Sequence, residues 1–219
     1  MIKKICLFLI ISISLISCKT ILLNAMLKDP RVENTKSVEN FLSTNNFKKQ
    51  NALILKADTS NIERQLLKGM VTGYYVFDSL GNHLSYKGES TCKGVQFKQL
   101  LANQSDSFSL SKNDTIQLEK ILSETYDMNG NNVSRVQFPK SKYYVVSYWQ
   151  IFMGGKRGYK DAVVWMQNET QNRSEFTFIN INADMQESWG LKLNKKAKLK
   201  VRKLKGKDYE MTLDDIPRL

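Results

Sequence analysis

The side chains able to do thiol or metal chemistry in this 219-residue chain are three cysteines and one histidine. Cys6 and Cys18 fall near the start, and Cys92 stands alone in Gly88-Glu89-Ser90-Thr91-Cys92-Lys93-Gly94. Thiol–disulfide exchange needs an attacking thiolate and a resolving thiol, and Cys92 has no second cysteine near it. As an exposed thiol beside the positive charge of Lys93, it is a candidate for one-cysteine peroxide or disulfide chemistry. The other reading of Cys92 is a small hydrophobe, since free cysteine is among the most buried residue types. His83 follows a Gly81-Asn82 turn with no cysteine nearby, so neither a zinc site nor any other cofactor is expected. No Gly-rich phosphate loop, serine nucleophile elbow or spaced carboxylate pair stands out. Asp127-Met128-Asn129-Gly130-Asn131-Asn132 opens like a calcium loop but lacks the bidentate Glu that such a loop needs, and reads as a turn.

Cys18 belongs to a different chemistry. Lys3 and Lys4 precede an apolar run over residues 5–16, broken only by Cys6, Ser12 and Ser14. Basic, then apolar, then small is the pattern of a secretory signal peptide, and the run is short of the ~20 apolar residues of a membrane span. The ending Leu15-Ile16-Ser17-Cys18 resembles the lipobox of bacterial lipoproteins. That resemblance implies that residues 1–17 are removed and that Cys18 becomes an acylated N-terminus. Each buried methylene contributes ~0.8 kcal/mol; one acyl chain holds only marginally and two hold stably. In the best-studied Gram-negative lipoproteins, Asp after the cysteine retains the chain in the inner membrane. Lys19 stands there instead, which by analogy implies the outer membrane. The expected location is the bacterial cell envelope, with the lipid bilayer as first partner.

The charge is strongly positive, with 33 Lys and Arg against 21 Asp and Glu and a formal net of +12. Lys3 and Lys4 account for two of those charges and residues 1–17 carry no acid, so the remainder stands at +10. Anionic lipid or phosphate surfaces would attract such a chain. A solvated, internally paired face is the plainer reading. A nucleic-acid role fits poorly with an exported, lipid-anchored protein.

The elements that must position these residues follow from patterning. Residues 18–36 read as lipidated N-terminus and tether, and Ser37 as the cap of a helix from Val38 to Thr44. Ala52-Leu53-Ile54-Leu55 reads as a buried strand, and Ser60 as the cap of a helix ended by Gly69. Tyr74-Tyr75-Val76-Phe77 and His83-Leu84-Ser85-Tyr86 flank a Gly-containing turn and form a hairpin. Val95, Phe97, Leu100 and Leu101 suit a short helix. A helix is expected from about Asp114 to Tyr126, a central strand over Tyr143 to Trp149 broken by Gly154-Gly155, a helix over Tyr159 to Glu169 with Ala162, Val163 and Met166 inward, and a strand over Phe176 to Ile181. Strands alternating with helices predict an open α/β sheet. In residues 191–219, apolar Ala197, Leu199 and Val201 alternate with Lys198, Lys200 and Arg202. Past Gly206, Tyr209, Met211 and Leu213 alternate with Glu210, Thr212 and Asp214. This predicts a hairpin whose basic and acidic strands pair their charges, at ~0.2–1 kcal/mol per cross-strand pair.

Tyr148-Trp149-Gln150-Ile151-Phe152-Met153-Gly154-Gly155-Lys156-Arg157 resembles the thioredoxin active-site segment, a strand that runs through Trp-Cys-Gly-Pro-Cys-Lys into a helix. Trp149 and Phe152 stand at the two aromatic positions, and Met153 and Lys156 stand where the cysteines would be. Phe178-Ile179-Asn180-Ile181-Asn182-Ala183-Asp184 is similar to the family's next strand. Residues 53–82 resemble its late strand, helix and terminal hairpin. The resemblance covers roughly residues 50–190 and implies a thioredoxin-like α/β sheet over residues 37–190, circularly permuted or rearranged, because the C-terminal half precedes the N-terminal half.

The resemblance also implies that Cys92 lies at the active-site end, close to Met153 and Lys156. With the thiols replaced, the expected function is a non-catalytic binding module for an envelope protein or ligand. Its candidate contact is Trp149, Phe152, Met153, Gly154, Gly155 and Lys156. The alternative is a one-cysteine peroxidase or reductase using Cys92; a third reading is a purely structural lipoprotein.

Overall fold

In a computed structural model of the chain, the residues described are 28–57, 62, 63, 66, 73–102, 105–111, 116–154, 159–203 and 209–219. The signal and lipobox residues with Cys18, the cap at Ser60, Gly69, and the site candidates Gly155 and Lys156 lie outside them.

Seven strands form one mixed sheet: β1 (Ala52–Leu55), β2 (Tyr74–Asp78), β3 (His83–Tyr86), β4 (Phe108–Leu110), β5 (Thr125–Asp127), β6 (Tyr143–Trp149) and β7 (Phe176–Asn182). Their spatial order is β4-β3-β2-β6-β7-β1-β5. β6, β7 and β1 are mutually parallel, with Val146 beside Ile179 and Leu53 beside Ile181. The other pairings are antiparallel. Every residue of β6 and β7 is buried, as for parallel strands covered on both faces. The sheet with its flanking helices is consistent with a thioredoxin-like α/β fold. The hairpin β2–β3 comes before the central β6 in the chain.

Helices cover both faces. Val38 and Leu42 of α1 (Thr35–Thr44), Phe97 and Leu100 of α2 (Lys93–Leu101), and Val163 and Met166 of a long helix (Tyr159–Gln171) pack on Tyr74, Val145, Trp149 and Phe178. On the other face, Leu118, Ile121 and Leu122 of α3 (Leu118–Ser123) pack on Leu53, Val146 and Ile181 with Ile62 and Leu66. Between β6 and the long helix lies the short α4 (Ile151–Gly154), which makes the long helix α5.

The C-terminal hairpin forms as the alternation predicts, from β8 (Lys198–Lys203) and β9 (Tyr209–Asp214). Leu199 faces Leu213 and Val201 faces Met211, while Arg202 faces Glu210. Arg202 bonds Glu210 at 2.7 Å, and Lys200 pairs with Asp214. Ala197 and Leu213 join the core on the α3 face.

Four local expectations change. The cap of α1 is Asn34, and Ser37 is its third residue: Asn34 Oδ1 accepts the Ser37 N–H at 3.0 Å and Ser37 Oγ accepts the Asn34 N–H at 2.9 Å, a capping box. Residues 28–34 of the expected tether are docked into the domain, with Val32 fully buried and Arg31 bridged to Lys196. The helix expected to reach Tyr126 stops at Ser123, because Thr125 and Tyr126 pair with Leu55 and Ile54 and cover the edge of β1. Ala162 is exposed, so α5 turns only Val163 and Met166 of the expected three inward.

Candidate functional site

The C-terminal ends of β6 and β7 hold a buried polar cluster. After Phe178-Ile179-Asn180-Ile181 of β7, the chain reads Asn182-Ala183-Asp184-Met185-Gln186, all buried. Asp184 Oδ2 accepts the Ile151 N–H and the Asn182 Nδ2–H, each at 2.7 Å. Asn182 Oδ1 accepts Gln186 Nε2–H at 2.9 Å. Gln150 donates Nε2–H to the carbonyls of Leu66 (2.6 Å) and Ala183 (3.2 Å). Among the described residues, Asp184 Oδ1 and Gln150 Oε1 have no hydrogen-bond partner. Burial pushes the Asp184 carboxyl up to about 7, against the bonds from Ile151 and Asn182, and the charge of Glu33 adds to the rise.

The same cluster anchors the N-terminal segment. The Glu33 N–H donates to Met185 O and the Glu187 N–H to Glu33 O, both at 2.8 Å. Glu33 is buried, and its carboxylate takes both Nε–H (2.9 Å) and Nη2–H (3.0 Å) of Arg31. A buried carboxylate needs such a partner, since an unpaired one is costly to desolvate.

Beside this cluster lies a groove of about 860 Å³. It is lined by Lys28, Asp29, Arg31 and Glu33, by Lys196 with residues 198–202, and at the end of β6 by Ile151 and Phe152. Arg31, Lys200 and Arg202 have acidic partners. Lys28, Lys196 and Lys198 make no ion pair among the described residues.

The contact surface expected from the sequence is rearranged. Trp149 is 1% exposed; its ring lies 5.4 Å from Phe41, stacked, and 5.0 Å from Phe47, and its Nε1–H donates to Asn180 Oδ1 at 3.2 Å. It is a core residue and offers nothing to a partner, because α1 covers it. Phe152 is buried in the α3-side core but reaches the groove, and Met153 packs half-buried against that same core. Cys92 is exposed, which overturns its reading as a buried hydrophobe. It precedes α2 on the opposite face of the sheet from the core that takes Met153. Lys93 points its ammonium over the Tyr74 ring, 5.7 Å from the centroid, and Tyr74 donates its hydroxyl to Lys93 O at 2.9 Å.

Sequence reasoning singled out none of Arg31, Glu33, Gln150 or Gln186. The legible signal was polar residues continuing an apolar strand at Asn180, Asn182 and Asp184, which only burial on both faces turns into a cluster. No protein-family model, curated protein or solved structure matches this chain.

Proposed function

We propose that this chain is an exported lipoprotein, held in the bacterial outer membrane through an acylated Cys18, whose thioredoxin-like domain binds a partner and does not exchange disulfides. The observation that supports binding is the groove at the end of the central strand, with apolar Ile151 and Phe152 and a surplus of cations on its walls. In the segment that resembles the thioredoxin active site, Met153 can neither ionise nor form a disulfide. The lipid anchor rests on residues 1–18 alone.

Two measurements test this. Intact-mass analysis of membrane-extracted protein is expected to give a chain starting at Cys18 with acyl chains attached, and Cys18→Ser is expected to abolish both acylation and the start at residue 18. Peroxide consumption and insulin-disulfide reduction are expected to be absent in the parent and in Cys92→Ser alike. A second reading, a one-cysteine thiol peroxidase or reductase, draws on the exposure of Cys92. Turnover abolished by Cys92→Ser would establish it and sink the binding-module reading.

A further inference from the structure

Past Leu199, the groove wall made by β8 is a strand edge with no backbone partner among the described residues. β8 pairs with β9 alone among the described strands. The Leu199 N–H donates to Asp29 Oδ1 at 3.1 Å, and the Leu213 N–H donates to Glu63 Oε1 at 2.9 Å. Leu199 and Leu213 face each other in the ladder, so both send their N–H groups outward and form a non-hydrogen-bonded pair. Hydrogen-bonded and non-hydrogen-bonded pairs alternate along an antiparallel ladder. Val201 with Met211, two residues on, is therefore the same kind of pair, and the Val201 N–H and C=O point away from β9 into the groove.

The chain already uses this edge once. Arg31 bridges Lys196 in antiparallel sense, with the Val32 N–H donating to Lys195 O at 2.8 Å and the Ala197 N–H to Pro30 O at 3.0 Å. At Leu199 the backbone partner is replaced by a carboxylate, that of Asp29. Beyond it the edge faces the groove. The two faces of β8 differ: Leu199 and Val201 lie on the side of the core that holds Phe152, and Lys198, Lys200 and Arg202 lie on the exposed side.

We propose that an extended acidic peptide segment of a partner protein adds to the outer edge of β8 as a further strand, with apolar residues toward Phe152 alternating with Glu or Asp toward Lys198, Lys200 and Arg202. This deepens the binding-module reading and rests on it. Main-chain bonds would supply affinity and the alternating side chains specificity, as in other strand additions. Charge complementarity selects acidic over basic partners, and Lys28, Lys196 and Lys198 remain available for it.

The test is calorimetry with the full chain in neutral detergent and a short capped peptide alternating Glu and Val. Three comparisons accompany it: a Lys-and-Val peptide, a Glu-and-Val peptide N-methylated at alternate amides on each edge, and vesicles containing phosphatidylglycerol. The Glu-and-Val peptide is expected to bind and to slow amide exchange at Val201. The Lys peptide and the N-methylated peptides are each expected to bind roughly tenfold or more weakly. Val201→Pro removes one outward N–H and leaves the β8–β9 bonds intact, because proline is tolerated on an edge. It is expected to abolish peptide binding while Met211 amide protection persists. Equal binding of the N-methylated peptides would overturn strand addition. So would absence of peptide binding, with or without capture of the vesicles. A natural partner that binds parent and Val201→Pro equally would also overturn it, and would leave the binding-module reading standing.

Discussion

The Asp184 carboxylate accepts the backbone N–H of Ile151 at 2.7 Å and so joins the end of β7 to the first turn after β6. The bond fixes where the central strand stops. Trp149 closes the junction from the strand side, with its carbonyl accepting the Ala183 N–H at 2.9 Å. The strand therefore ends five residues before Gly154, at a carboxylate and not at a glycine pair.

Asp184 makes stability depend on pH. An ordinary aspartate titrates near 3.8, and burial raises this one to about 7. A raised acid binds its proton more tightly folded than unfolded, so its contribution is fully present below the unfolded value. It is lost as pH rises through the folded one. Stability is expected to fall between about pH 4 and pH 7, by on the order of a few kcal/mol. Asp184→Asn keeps an acceptor for Ile151 and is expected to flatten that slope. Parallel denaturant midpoints for parent and variant across this range would contradict the assignment.

Trp149 carries packing and no ligand contact. Its ring packs in a three-ring cluster with Phe41 and Phe47, so Trp149→Ala is expected to cost ~3–5 kcal/mol in urea unfolding. Wild-type stability in that variant would mean that α1 does not cover β6.

Phe152 separates binding from stability by the choice of substitution. It is buried in the α3-side core and also lines the groove, so Phe152→Ala is expected to destabilise by ~3–5 kcal/mol. Phe152→Leu is expected to cost under ~1.5 kcal/mol and still to weaken peptide binding, measured by titration at fixed folded fraction. Unchanged affinity in the Leu variant would remove Phe152 from the contact.

The capping box gives a local check. Asn34→Ala removes the acceptor of the Ser37 N–H and is expected to cost ~0.5–2 kcal/mol. Asn34→Ser is expected to restore most of it. Thermal or urea unfolding of the pair reads this out, and equal loss in both would argue against a capping role.

Cys92 is exposed and is expected to react with a maleimide in the folded chain at a rate close to that in denaturant. Strong protection in the native state would place it inside the fold.

Alternation and apolar runs gave away most elements, because each strand's pattern is local. The aromatic and β-branched run from Tyr143 to Trp149 told of a central strand, and the paired basic and acidic registers told of the terminal hairpin. The end of the helix at Ser123 was not legible, since Leu118, Ile121 and Leu122 set a helical period that Thr125 and Tyr126 leave only to reach Leu55 and Ile54. Residues far apart along the chain make the candidate site. Glu33 meets Met185 and Asp184 meets Ile151 because β6 and β7 end side by side.

From the sequence alone came the α/β class and the terminal hairpin, and the grounds for proposing export and lipidation at Cys18 and a thioredoxin-like segment with Met153 and Lys156 in place of a dithiol pair. These depend on residue identity and short-range period. Only the tertiary structure decided that Trp149 is core, that Cys92 lies on the face away from Met153, and that residues 28–33 and β8 enclose a basic groove. Burial and strand-edge exposure arise when distant segments exclude water from one another, and no local pattern encodes which segments meet.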